Sequence, residues 1–155
     1  MHIIEDSRQQ KNQHEIKHQG FADLHVSLCR SKVVVGDYCL PPRVAVDTKR
    51  DMQEIAQNIG GTRQEHERFI REVKLAKEIG CQLYVLIENE EHIGCIEDVN
   101  RWQNPRIAFS PNCIRGPRLA KAMHTIQDRY GCVFMFCRPD EAADIIVDLL
   151  REEKQ

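Results

Sequence analysis

Gly36-Asp37-Tyr38-Cys39-Leu40-Pro41-Pro42-Arg43-Val44-Ala45-Val46-Asp47-Thr48-Lys49 is the stretch whose reading decides the fold. Residues 33–40 and 43–49 read as two extended stretches, with Pro41-Pro42 as a natural turn between them. If the chain reverses near Pro42, residues equidistant from the turn face each other, which sets Asp37 opposite Asp47. Directly opposed residues of a hairpin have Cβ atoms about 5 Å apart and share a face. Two carboxylates that close repel, and the pair resists full ionisation without a cation. Oxygen ligands so placed suit magnesium or manganese, which bind through one or two carboxylates plus waters and substrate phosphate. Lys49 lies two residues beyond Asp47 and projects from the same strand face. There an ammonium would orient an attacking water and offset charge developing on a phosphate. Asp6, at the end of a first strand, is an extra acid from elsewhere in the fold. An Asp-x-Lys alternation also marks an exposed strand face with a weak surface ion pair. Spacing alone leaves both readings open.

Outward from this hairpin the periodicity changes. On the N-terminal side, Ile3 and Ile4 form a short strand leading into a polar stretch, 7–19. Residues 22–29 alternate, with Leu24, Val26 and Leu28 on one face, as a half-buried strand does. On the C-terminal side, Met52, Ile55, Ala56 and Ile59 line a helix that stops at Gly60-Gly61. Phe69, Val73 and Ala76 line a second helix, ending at Gly80. Residues 82–87, QLYVLI, read as a central buried strand. Residues 89–117 are mostly irregular, 118–129 a helix, 133–136 a strand and 140–152 a last helix. Strands and hairpin first, then helices alternating with buried strands, predict an α/β three-layer domain with a central mixed sheet flanked by helices. Residues 1–155 show no repeat or linker and are expected to form one domain.

Composition sets the remaining bounds. Hydrophobic residues make up 41% and charged residues 30% of the 155, a globular balance. No apolar run approaches the roughly 20 residues that span a bilayer. The start, Met1 to Asp6, has no basic segment leading into an apolar core, so a cytoplasmic, non-secreted protein is expected, associated with nucleoid or viral DNA. The seven cysteines are scattered with no C-x-x-C pair and read as reduced, mostly as small buried hydrophobes. Cys132 and Cys137 point to opposite faces of a strand and cannot share a zinc. A net charge of -2 argues against a non-specific coat on nucleic acid. The distribution is uneven: residues 101–129 hold six Lys or Arg against one acid, while 81–100 hold five acids and no Lys or Arg. One segment would meet phosphates and its neighbour repel them, unless both are simply solvated faces. Between Trp102 and Arg118, Trp102 reads equally as a base-stacking residue in a DNA-contacting loop or as an anchor for that loop. Tyr38 is read as a ring packed beneath the hairpin. Met123 and Ile146 are expected to leave apolar surface for a dimer contact.

The sequence resembles the nuclease domain of the XPF-type structure-specific endonucleases, of the PD-(D/E)XK restriction-endonuclease-like superfamily. Asp6-Ser7-Arg8, Gly36-Asp37-Tyr38 and Val46-Asp47-Thr48-Lys49 follow the family order of an acid after the first strand, a Gly-Asp-Tyr before a hairpin, then Val-Glu-Arg-Lys. Gly61-Thr62-Arg63 and Tyr84-Val85-Leu86-Ile87-Glu88 extend the likeness, and it continues more weakly to Leu150. The resemblance implies a metal-dependent DNA endonuclease, with Asp37, Asp47 and the Thr48 carbonyl on Mg²⁺ or Mn²⁺ and Lys49 positioning the water. It implies Asp6 as an assisting acid, and Arg8 and Arg63 as phosphate contacts; Arg115 and Arg118 of the basic segment are added as nucleic-acid contacts. Branched, flapped or forked DNA is the implied substrate, and repair or recombination the implied setting. Three features depart from the pattern. Thr48 replaces an Arg, and Gln53 replaces a later acid, with Asp51 and Glu54 flanking it. The tandem helix-hairpin-helix module of cellular members is expected to be missing. A homodimer through the C-terminal helices, or a DNA-binding partner protein, would then supply grip. A catalytically inactive scaffolding subunit and a Holliday-junction resolvase are the alternatives on the same fold.

Overall fold

The computed structural model describes residues 2–9, 14–40 and 43–152. The Pro41-Pro42 turn therefore lies outside the described residues. Six strands form one mixed sheet: β1 (His2–Asp6), β2 (Ser27–Ser31), β3 (Tyr38–Leu40), β4 (Val44–Lys49), β5 (Gln82–Glu88) and β6 (Val133–Cys137), in the order β2-β1-β3-β4-β5-β6. Only β3 runs against its neighbours, pairing antiparallel with β1 and β4, while β1–β2, β4–β5 and β5–β6 are parallel. Five strands thus end at one edge, where Asp6, Lys49 and Glu88 stand, and β3 begins there just after Asp37.

Among the described residues six helices cover the two faces: α1 (Glu15–Asp23), α2 (Met52–Gly60), α3 (Arg63–Glu78), the short α4 (Ile96–Val99), α5 (Gly116–Tyr130) and α6 (Ala142–Glu152). Ala45, Leu83, Val85, Ile87 and Phe134 pack with apolar residues of α2, α3 and α5. Ile3, Val44, Val46 and Leu86 pack with those of α1 and α6. All six residues of β4 are buried because it is central and covered on both faces. Two caps set α2 and α3 just after the site. Asp51 accepts from Glu54 N at 2.8 Å, and Thr62 forms a capping box with Glu65.

Several expectations change. The polar stretch 7–19 and the alternating stretch 22–29 conceal α1, followed by a short β2 that starts only at Ser27. The helix buries only Lys17 and Phe21, too thin a stripe to read from periodicity. Residues 89–117 contain α4 and a 3₁₀ turn at Pro105–Ala108. Met123 and Ile146 are fully buried in the two cores, so neither offers surface for a dimer. Of the seven cysteines only Cys132 and Cys137 are buried, one in each core, and burial pushes their thiols up to about 11 and about 12. Trp102 is buried, the anchor of its loop.

Candidate active site

The hairpin register pairs Tyr38 with Val46, Cys39 with Ala45 and Leu40 with Val44, so Asp37 falls opposite Asp47. Gly36, at φ +75°, turns the chain into β3, and an added Cβ there would lie 3.1 Å from both Ala45 Cβ and the Val46 carbonyl. The Asp37 backbone is fixed by Asp37 N donating to Val46 O at 2.8 Å and Asp6 N donating to Asp37 O at 2.7 Å. Its carboxylate is aimed by Thr48, whose backbone N–H and hydroxyl donate to Oδ2 at 2.7 and 2.9 Å. Asp37, Asp6 and the end of β4 are thus tied into one edge.

Alternation puts Asp47 and Lys49 on the Ala45 face, beneath α2 and α3. Both are buried, so the pair is no surface ion pair. Lys49 Nζ lies 2.8 Å from Asp47 Oδ2 and 5.6 Å from the Phe69 ring centroid. The Nζ contact is off the hydrogen-bonding axis, and Oδ2 accepts no aligned hydrogen bond. Burial, then the charges of Asp37 and Glu72, push the Asp47 carboxyl well up, against the pull of Lys49. Burial lowers Lys49, but the Asp47 carboxylate and further acids, Glu54 and Asp37, outweigh it and hold the ammonium above its usual value. One lysine among several acids leaves surplus negative charge, which raises both.

Asp6 is buried and engaged by Arg8, whose backbone N–H and Nε donate to its two carboxylate oxygens at 3.1 and 2.7 Å. Burial raises the Asp6 carboxyl, yet the Arg8 hydrogen bonds and charge outweigh it and hold it below the usual range. Arg8 also donates to Val33 O, while more than half of its side chain stays in solvent. The structure therefore brings Asp6, Arg8, Asp37, Asp47, Thr48 and Lys49 together. Arg63 lies apart, exposed at the start of α3 and paired with Glu67 at 2.6 Å. Arg115 and Arg118 stand exposed at the start of α5.

Glu72 is the acid that sequence reasoning missed. From α3 it accepts from Gly36 N at 2.9 Å and reaches the charge of Asp47. Its only signal was position, at the border of the Phe69–Val73 stripe. A second cluster lies on the other face of the same edge. Glu5 accepts from Tyr38 Oη at 3.3 Å and meets His18 Nε2 at 2.6 Å and Arg30 Nε at 3.3 Å. Beside it Lys17 and Glu88 form a buried ion pair. Tyr38 packs on Phe21, and burial beside Glu5 pushes its phenol far up, so its role is packing.

No family model matches the sequence, and no curated protein matches it significantly. Solved structures do. XPF from Aeropyrum pernix aligns over 100% of this chain with a TM-score of 0.70 at 17% identity. This chain has the XPF fold. A structure of XPF from Aeropyrum pernix in complex with DNA aligns over 98% of the chain, with a TM-score of 0.68 and 17% identity. The chain spans 62% and 64% of those two chains, less than two thirds of the length of either XPF structure. The α/β fold with its mixed sheet flanked by helices is that expected from the sequence.

Among the described residues no three His, Cys, Asp or Glu side chains converge as a metal cage. The donor set still fits a hard divalent cation, because Asp47 Oδ2 lacks an aligned donor and the surrounding charge is in acidic surplus. Magnesium needs only one or two carboxylates when waters complete its shell.

Proposed function

We propose that this chain is a divalent-metal-dependent endodeoxyribonuclease that hydrolyses phosphodiester bonds in branched or flapped DNA. The observation that carries the reading is the buried Asp47–Lys49 pair with Asp37 in register opposite it. Asp37 and Asp47, with the Thr48 carbonyl, would hold Mg²⁺ or Mn²⁺. When bound, the ion would supply Lewis acidity toward a phosphodiester oxygen and toward water. Thr48 keeps Asp37 aimed by its two hydrogen bonds. Lys49, protonated and held by Asp47, would orient the attacking water and offset charge on the phosphate. Asp6 anchors Arg8, whose exposed guanidinium would meet an adjacent phosphate. The DNA in one of the matched XPF structures supports the choice of polymer.

The test is a panel of flap, fork, nicked and four-way DNA incubated with each metal. Cleavage of a branched substrate is expected, and Asp47→Ala or Lys49→Ala should lower its rate by at least about 10²-fold with circular dichroism unchanged. Cleavage that survives both substitutions removes the site assignment. DNA binding without any cleavage assigns the chain to a scaffolding role instead.

A further inference from the structure

With Trp102 buried, the aromatic that faces solvent in its loop is Phe109, which is 91% exposed. Its ring stands in solvent, where its face is free to stack on a flat partner. The loop under it is braced. Asn104 is buried, accepts from Arg106 N at 3.0 Å and donates to Ile114 O at 2.9 Å. Phe109 N and Ser110 N both donate to Arg106 O, at 2.9 and 2.7 Å, and Cys113 N donates to Ser110 O at 3.0 Å. The Arg106 guanidinium is hydrogen-bonded to Gln57 of α2, whose amide in turn donates to Glu65 of α3. The ring is therefore presented by a fixed platform. The span that carries it is basic: no Asp or Glu occurs between Asp98 and Asp128, and Arg115 and Arg118 are exposed with no ion pair among the described residues, while Arg106 also feels Glu65 of α3. The loop comes after β5 and α4, leads into the start of α5, and meets α2 at Gln57 and Gly60, in the half of that helix away from Lys49.

We infer that Phe109 is a stacking platform for an unpaired base, seated in a cationic loop whose Arg106, Arg115 and Arg118 hold the flanking phosphates. This rests on the nuclease reading above and adds where the single-stranded arm of the substrate lies. A base has a π-face and each nucleotide carries an anion, so a single strand matches both halves of the surface.

The experiment uses the full chain without metal. Fluorescence anisotropy measures binding to a fork and to a blunt duplex for wild type, Phe109→Ala and Phe109→Trp, and 2-aminopurine sits at the first unpaired position of the fork. Phe109→Ala should weaken fork binding roughly 10-fold and leave the duplex within about twofold, while Phe109→Trp keeps fork affinity. Quenching of 2-aminopurine should vanish in the alanine variant and persist in the tryptophan variant. Equal fork affinity with unchanged quenching overturns the inference. A change in sedimentation in place of a change in DNA affinity overturns it in favour of a protein contact. A protein that stacks the base but never cuts keeps this inference and loses the nuclease reading. One that cuts with quenching unaffected by Phe109→Ala does the reverse.

Discussion

Asp47 is buried beside Lys49, with the charges of Asp37 and Glu72 also acting on it, so its carboxyl binds a proton more tightly in the folded chain than in the unfolded one. A raised folded value means that the stabilising proton is fully present below the unfolded pKa, about 3.9, and is lost as pH rises through the folded value. Across that window the metal-free protein should therefore lose stability as Asp47 ionises. A divalent cation bound at Asp37 and Asp47 competes with the proton, and its effect should grow with pH. Ordinary carboxylates are ionised by roughly pH 5–6, so growth beyond that belongs to the shifted acid. Magnesium at about 100 times its Kd would add up to about 2.7 kcal/mol, about 5–11 °C in Tm. Thermal melts with and without magnesium from pH 4 to 8 should show an increment that rises with pH in wild type and is absent in Asp47→Asn. An increment that is flat with pH, or retained in the variant, removes Asp47 as the titrating ligand.

At the scale of the element, glycines decide how closely helices approach. Gly116 opens α5 against the turn after α4, where an added Cβ would lie 2.3 Å from Val99 O and 2.7 Å from Trp102 O. Those are backbone atoms that cannot swing aside, so Gly116→Ala should cost about 3 kcal/mol by urea denaturation. An unchanged midpoint would show that α5 does not seat there. Gly20 plays the same part in α1, where a Cβ would meet Ala143 of α6 at 2.6 Å. That contact explains why α1 was illegible in the sequence. Its glycine and its lone buried lysine serve packing against partners over a hundred and about seventy residues away, and both break the local helical pattern. The helices with broad stripes, α2, α3, α5 and α6, were readable because each carries its own apolar face. Within those four helices legibility failed at surface rather than at element type: Met123 and Ile146 obey the period, but period does not say which stripe is covered.

Across the whole molecule the same division separates near from far. Asp37, Asp47 and Lys49 were legible together because a hairpin is local arithmetic. Glu72 and the Lys17–Glu88 pair were not, since each depends on a helix docking across the sheet. Charge shows this most plainly. The chain is net -2, yet five of its bases, Arg101, Arg106, Arg115, Arg118 and Lys121, lie in the acid-free span between Asp98 and Asp128. If that span meets an unpaired strand, binding should be weak and fall with salt, because each phosphate neutralised on a single strand contributes a slope of about -0.7 in log K against log salt. Contacts from Arg106, Arg115 and Arg118 to the single-stranded arm give a slope of about -2 for metal-free binding to a fork. Arg115→Ala and Arg118→Ala should each flatten it by about 0.7. Arg151, exposed on α6 over the opposite face, serves as the control, and Arg151→Ala should leave the slope where it was. A double Arg115→Ala/Arg118→Ala variant that keeps the full slope would move the DNA path off this span, and with it the reason for placing an unpaired base at Phe109.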